Sequence, residues 1–208
     1  AKEEFDPEDF DKELLKELRK LKVDLFLATG RPLGYAKALA RKFKLWKAII
    51  CENGSVVYFP EEKKTLTIST YHMRKAKKKL KEKDYPGMST GKISVTIPKK
   101  HEEEAEEFLG KTALHVEFSH NVDNTIIVPE GVNKGLGVRL AMQHLNIDLD
   151  KTLCIGDAEN DVDLFLNPGF KIAVANAHPK LKELASQVTE AKRTAGVREV
   201  IEKIKSNS

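Results

Sequence analysis

The period of the apolar positions changes several times along the chain, and each change marks an element. Phe10, Leu14, Leu15, Leu18 and Leu21 fall on one face of a 3.6-residue repeat, Asp6 can cap it and Pro7 suits a first helical position, so the spacing predicts a helix over 6–22. The run VDLFLA at 23–28 is a strand stopped by Thr29-Gly30-Arg31-Pro32. A helix over 33–43 follows, then short strands at 48–51 and 56–59 on either side of the turn Glu52-Asn53-Gly54-Ser55. Helix and strand alternate, which predicts a parallel sheet.

The texture changes near residue 60. A strand is predicted at 63–70, a helix at 71–83, a half-exposed alternating strand at 92–97, an acidic helix at 100–109, and strands at 114–118 and 125–128. This is an α+β pattern with antiparallel pairing. From Asn133 the first texture returns, with helices at 135–145, 161–166, 179–185 and 196–204 and strands at 152–155 and 171–174. An α/β core made of 1–59 and 129–208 is therefore interrupted by a smaller inserted domain at 60–128.

Composition narrows the function classes. Lys and Arg number 36 against 32 Asp and Glu, and a net charge of +4 is too small to imply a nucleic-acid partner. The lysine run at 75–83 lacks interleaved aromatics and reads as a solvated face, with nucleic-acid binding as the minor alternative. Cys51 and Cys154 each sit in an apolar run, which predicts buried, reduced thiols and a cytoplasmic protein. No run approaches 18 apolar residues and the acidic start is no signal peptide, so no membrane role is expected. Monomer and homodimer both remain open.

The candidate chemistry gathers at strand ends. In LCIGDAENDVDLF, 153–165, a buried strand runs into Gly156 and Asp157, and Asp161 follows in the first turn of a helix. Two converging carboxylates repel, so the arrangement asks for a hard divalent cation, Mg2+ by preference, or for a lysine between them. The plainer alternative makes Asp157 a helix cap and Asp161 an acid favoured by the helix dipole. Thr29-Gly30 closes a second strand, and Lys134 follows the strand TIIVPEG. A hydroxyl, an ammonium group and metal-holding carboxylates are the parts that phosphoryl transfer needs. His101, His115 and His120 show no metal-ligand spacing, although His120 is a minor candidate for substrate contact, and His178 reads as a loop residue.

With LATGRP at 27–32, ENG at 52–54, NKG at 133–135, GDAENDVDLF at 156–165 and VANA at 174–177, the chain resembles the haloacid dehalogenase (HAD) superfamily of aspartate-nucleophile phosphatases, and within it the archaeal phosphoglycolate phosphatase type. The resemblance implies a HAD-like Rossmannoid three-layer core with a parallel sheet and an inserted α+β cap of the C2 type. It makes Thr29 and Gly30 phosphate-binding, gives Lys134 the task of holding nucleophile and phosphate together, and assigns Asp157 and Asp161 to Mg2+. Asn53, Asn160 and Asn176 become candidates near the site. The implied activity is Mg2+-dependent hydrolysis of a small phosphorylated metabolite, 2-phosphoglycolate first, through an aspartyl-phosphate intermediate.

One family feature is absent from this sequence: the opening strand that ends in D-x-D-G-T/N and carries the nucleophile. Asp6-Pro7-Glu8-Asp9 is no substitute, because no apolar strand precedes it. A sheet without that central strand should present an apolar slot between 23–28 and 152–155. The expectation is that a preceding segment, or another segment or chain, fills it, and that this sequence alone turns over close to nothing. A phosphate-binding module without catalysis is the alternative.

Overall fold

A computed structural model describes residues 11–120, 123–167 and 169–206. The expected cap and first turn at Asp6, Pro7 and Phe10 lie outside the described residues. Helix α1, Lys12–Lys20, begins at Asp11, whose Oδ1 accepts the Leu14 amide at 3.0 Å. It buries Leu15 and meets α8, Arg193–Ser206, where Arg198 donates to Asp11 at 2.8 Å and to Glu17.

The first sheet has the order β1-β2-β3-β4, with β1 Phe26–Ala28, β2 Ala48–Cys51, β3 Val56–Phe59 and β4 Lys64–Thr67. β1 and β2 are parallel, Phe26 opposite Ala48, whereas β3 and β4 add as antiparallel strands. The boundary expected at residue 60 is corrected by this pairing, because Lys64–Thr67 belongs to the core sheet. A second sheet, β11-β10-β9, is parallel throughout, with β9 Leu153–Gly156, β10 Phe170–Ala173 and β11 Gln187–Val188. β11, two residues long, is too short to have been read from periodicity.

The two sheets do not join: among the described residues, β1 and β9 form no ladder with each other. Burial agrees with an open position between them. All four residues of β2 are buried, but all three of β1 are only half-buried, and Leu153 in β9 is 40% exposed. A strand covered by neighbours on both edges and by helices on both faces would show the first pattern.

The helices hold the halves together. On one face Val138, Ala141 and Met142 of α5, Lys134–Leu145, pack with Ile50 and Val57 of the first sheet. The same cluster takes in Leu164 and Phe165 of α6, Val162–Phe165, Leu181 of α7, Pro179–Leu184, and Ala173 of the second sheet. On the other face α2, Leu33–Phe43, buries Ala36, Leu39 and Phe43 against Ile49 and Val56, in a cluster that continues into the inserted unit.

That unit is an antiparallel sheet, β5-β6-β8-β7, formed by Ser89–Thr90, Val95–Pro98, Asn124–Pro129 and Val116–His120 respectively. α3, Tyr71–Lys83, and α4, Glu102–Gly110, bury Met73, Ala76, Leu80, Ala105 and Leu109 in the cluster that holds Val95, Ile97 and Ile127. β6 starts at Val95 instead of residue 92 because the amides of 92–94 are taken by a side chain from the core. The helix expected at 161–166 is a 3-10 turn, Glu159–Asp161, followed by α6. No helix among the described residues is long and apolar enough to cross a membrane.

Candidate functional site

Thr29 follows β1 directly. Its amide donates to the Ile50 carbonyl at 2.8 Å, which keeps the chain in register with β2 for one residue more, and its Oγ1 accepts the Arg31 amide at 3.2 Å. The hydroxyl hydrogen is thereby left to aim outward. A cavity of about 230 Å³ opens here, walled by Thr29, Gly30 and Arg31 on the core side and by Ser89, Ser94 and Thr96 on the other. Gly30 lies close under β8, where a Cβ would come within 2.5 Å of Ile126 Cδ1.

Lys134 opens α5 behind Asn133, whose Oδ1 caps the helix by accepting the Leu136 amide at 2.9 Å. Its side chain points inward and the residue is only 6% exposed. The ammonium group donates to Asp161 Oδ1 at 2.6 Å and to Asn160 Oδ1 at 2.8 Å. Asp161, 7% exposed, uses its other oxygen to accept the amides of Asp157 and Ala158, both at 3.1 Å. A buried ion pair is sustained by further hydrogen bonds to both groups, here Asn160 for the ammonium and the two loop amides for the carboxylate. Nearby, burial pushes the Asp163 carboxyl above its usual range, against the attraction of Arg139 and Lys134.

The two acids therefore differ in circumstance. Of the alternatives the sequence left open, it is the lysine that lies against Asp161. Asp157 sits exposed at the end of β9, its backbone carbonyl accepting the amide of His178 at 2.8 Å. No group of three or more His, Cys, Asp or Glu among the described residues is placed to hold a metal ion. Mg2+ needs only one or two carboxylates besides phosphate and water, so Asp157 fits such an ion, whereas a cation at Asp161 would compete with Lys134.

The turn Glu52–Gly54 connects the two clusters. Glu52 donates its amide to the Arg31 carbonyl at 2.9 Å, and Asn53 donates to the Thr29 carbonyl at 3.2 Å. Gly54, at φ +100°, lies against the backbone carbonyl of Asn133 so closely that any Cβ would collide with it. Glu52 and Asn53 themselves take φ of 51° and 53°, an uncommon conformation for residues with side chains. The loop of Thr29 and the loop of Lys134 are thus fixed to one tight turn.

The other candidates are placed as follows. Asn160 stands with Lys134, as above. Asn53 is buried, donates to Ser119 Oγ at 2.8 Å, and keeps Oδ1 buried with no hydrogen-bond partner among the described residues. Asn176 braces another loop, accepting the Arg193 amide at 2.7 Å. His120 is paired with Glu102 at 3.2 Å, and His178 precedes α7. Sequence reasoning took Glu52 only as a turn residue and Arg31 only as part of a motif. The signal for Glu52 was an acid placed directly after four apolar residues and before Asn-Gly.

The sequence model of haloacid dehalogenase-like hydrolases matches residues 2–125 and 61–201 of the chain. A protein of Methanosarcina acetivorans named phosphoglycolate phosphatase is 32% identical over 200 residues, covering 93% of this chain and 88% of its own. One of the same name from Archaeoglobus fulgidus is 31% identical over 193 residues, covering 89% and 84%. Among solved structures, a protein of Thermoplasma acidophilum superposes with a TM-score of 0.78 at 15% identity, over 97% of this chain and 93% of that one, which is a likeness of fold.

Proposed function

The chain belongs to the haloacid dehalogenase-like hydrolase family, and from that premise we propose that it serves the hydrolysis of a small phosphomonoester, 2-phosphoglycolate first, in the cavity between the Thr29 loop and the inserted unit. The observation that carries this reading is the placement of a hydroxyl at the end of β1, and of a buried ammonium beside the end of β9, around one open strand position. Thr29 and the Gly30 amide receive phosphate oxygens. Lys134 neutralises charge that develops as the ester bond breaks. Asp161 holds that ammonium and the amides of the Asp157 loop in place.

The family's nucleophile is an aspartate at a strand end, and the open edges of β1 and β9 leave that position between Thr29 and Asp157. A strand seated there would bring a carboxylate to phosphorus; a P–O bond to the carboxylate forms as the ester P–O bond breaks, and water then releases phosphate from the acyl phosphate. Mg2+ at Asp157 would supply positive charge to the phosphate oxygens.

Phosphate release from 2-phosphoglycolate with excess Mg2+, measured with a nucleophile-bearing strand seated between β1 and β9, is the test. EDTA should abolish it, and Lys134→Ala should lower it by about a hundredfold or more, the scale of losing one preorganised charge. Release that is indifferent to EDTA would remove Mg2+ from the reading. Saturable binding of 2-phosphoglycolate without release would favour the phosphate-binding module.

A further inference from the structure

Glu52 is a carboxylate with no solvent exposure whose oxygens bond to amides and a hydroxyl, and the Lys77 ammonium, held at the same turn, attracts it without a direct hydrogen bond among the described residues. Oε1 accepts the amide of Leu33, at the start of α2, at 3.2 Å and that of Lys92 at 2.7 Å. Oε2 accepts the amides of Ile93 at 2.8 Å and Ser94 at 2.9 Å, and the Ser94 hydroxyl at 3.1 Å. The acceptor capacity of the carboxylate is fully used. One partner belongs to the core, and the others form the turn that leads into β6 of the inserted unit.

The same turn is closed from the other side. Gly91 donates to the Ser94 carbonyl at 3.0 Å, and Lys77 of α3 donates to the carbonyls of Gly91 at 2.5 Å and Lys92 at 3.1 Å. Gly91 leaves room for the carboxylate, because a Cβ there would overlap both Glu52 oxygens. Gly91 and Ser94 wall the cavity that opens on Thr29.

We propose that Glu52 is a positioning residue: its carboxylate ties the inserted unit to the core and sets the turn 91–94 over the cavity, so that the unit's side chains meet the organic part of the substrate. The proposal rests on the cavity being the substrate site. Charge-assisted hydrogen bonds to backbone amides are strong and directional, and they fix the height of the turn. The chain spends an unfavourable φ at Glu52 and at Asn53 to aim this contact.

Glu52→Gln preserves the shape but presents an NH2 group to backbone donors. Residue-resolved hydrogen exchange on the full chain should show the amides of Lys92, Ile93 and Ser94 exchanging at least about tenfold faster, with Ile49 and Ile50 unchanged. Affinity for 2-phosphoglycolate should fall by about the same factor, while affinity for inorganic phosphate, which needs only the core loops, should hold. Gly91→Ala, which keeps the carboxylate and disturbs its seat, should behave alike. Faster exchange throughout β2 and β3, or equal loss of both ligands, would make Glu52 a residue of general stability and overturn the proposal, as would unchanged exchange at 92–94. If the unsubstituted chain binds no 2-phosphoglycolate while the local exchange difference persists, the substrate reading fails and the tether stands.

Discussion

At the scale of single residues, Asp157 and Asp161 show how equal letters acquire unequal work. Four positions apart at a strand end, they read in the sequence as converging carboxylates that ask for a divalent cation or a lysine, or as a helix cap and a first-turn acid. The structure separates them, one exposed and the other closed between Lys134 and two backbone amides. Asp157→Asn should therefore change unfolding free energy by less than about 0.5 kcal/mol, as surface substitutions do. Lys134→Met should cost about 3–5 kcal/mol, because Asp161 is left charged and buried, and adding Asp161→Asn should return much of that loss. Urea unfolding of the three variants checks both statements. Thr29, Gly30 and Lys134 were legible because each follows an apolar run that must end at the sheet rim. The partners of Glu52 in the inserted unit were not, since Lys92, Ile93 and Ser94 lie forty and more positions away and nothing local announces them.

At the scale of elements, periodicity located α2, α3, β2 and β3 at their observed limits. It failed where side chains intercept the backbone. Glu52 takes the amides that would have begun β6 three residues earlier. α3 is lysine-rich but carries a narrow buried stripe of Met73, Ala76 and Leu80. Leu80→Ala should cost about 2–5 kcal/mol, whereas Lys78→Ala should fall within about 0.5 kcal/mol, measured by thermal unfolding. α4 carries a pH dependence at its start. The Thr125 hydroxyl first, and then His120, hold the Glu102 carboxyl below its ordinary value of 4.5. A folded-state value lowered in this way contributes stability above about pH 4.5 that is lost as pH falls through the folded value. Glu102→Gln should flatten the fall of the melting temperature on acidification in that window; an unchanged slope would remove Glu102 from the account.

At the scale of the whole molecule, the alternation of helix and strand conveyed the layered core and the change of texture conveyed the insert. What it could not convey was that Lys64–Thr67 turns back onto the core sheet, since a short strand of mixed burial carries no mark of its partner. The slot between β1 and β9 was expected from the resemblance, and among the described residues no strand lies between them. Unpaired parallel edges bordered by half-buried Phe26 and Leu27 and by exposed Leu153 invite pairing with another strand. Leu153→Lys should accordingly weaken any concentration-dependent association seen by sedimentation, and association indifferent to it would place the contact elsewhere.

The apolar cluster through which α5, α6 and α7 join the two sheets also has a kinetic meaning. Ile50 and Val138 meet in one apolar cluster although the whole inserted unit lies between them in the chain. Until that unit collapses, bringing them together means closing a long disordered loop, and once it has folded its two ends hold the loop short. The insert would then act as a folding clamp for the sheet, and a substitution in its interior, outside the cluster that α5 joins, would slow the assembly of that cluster without touching it.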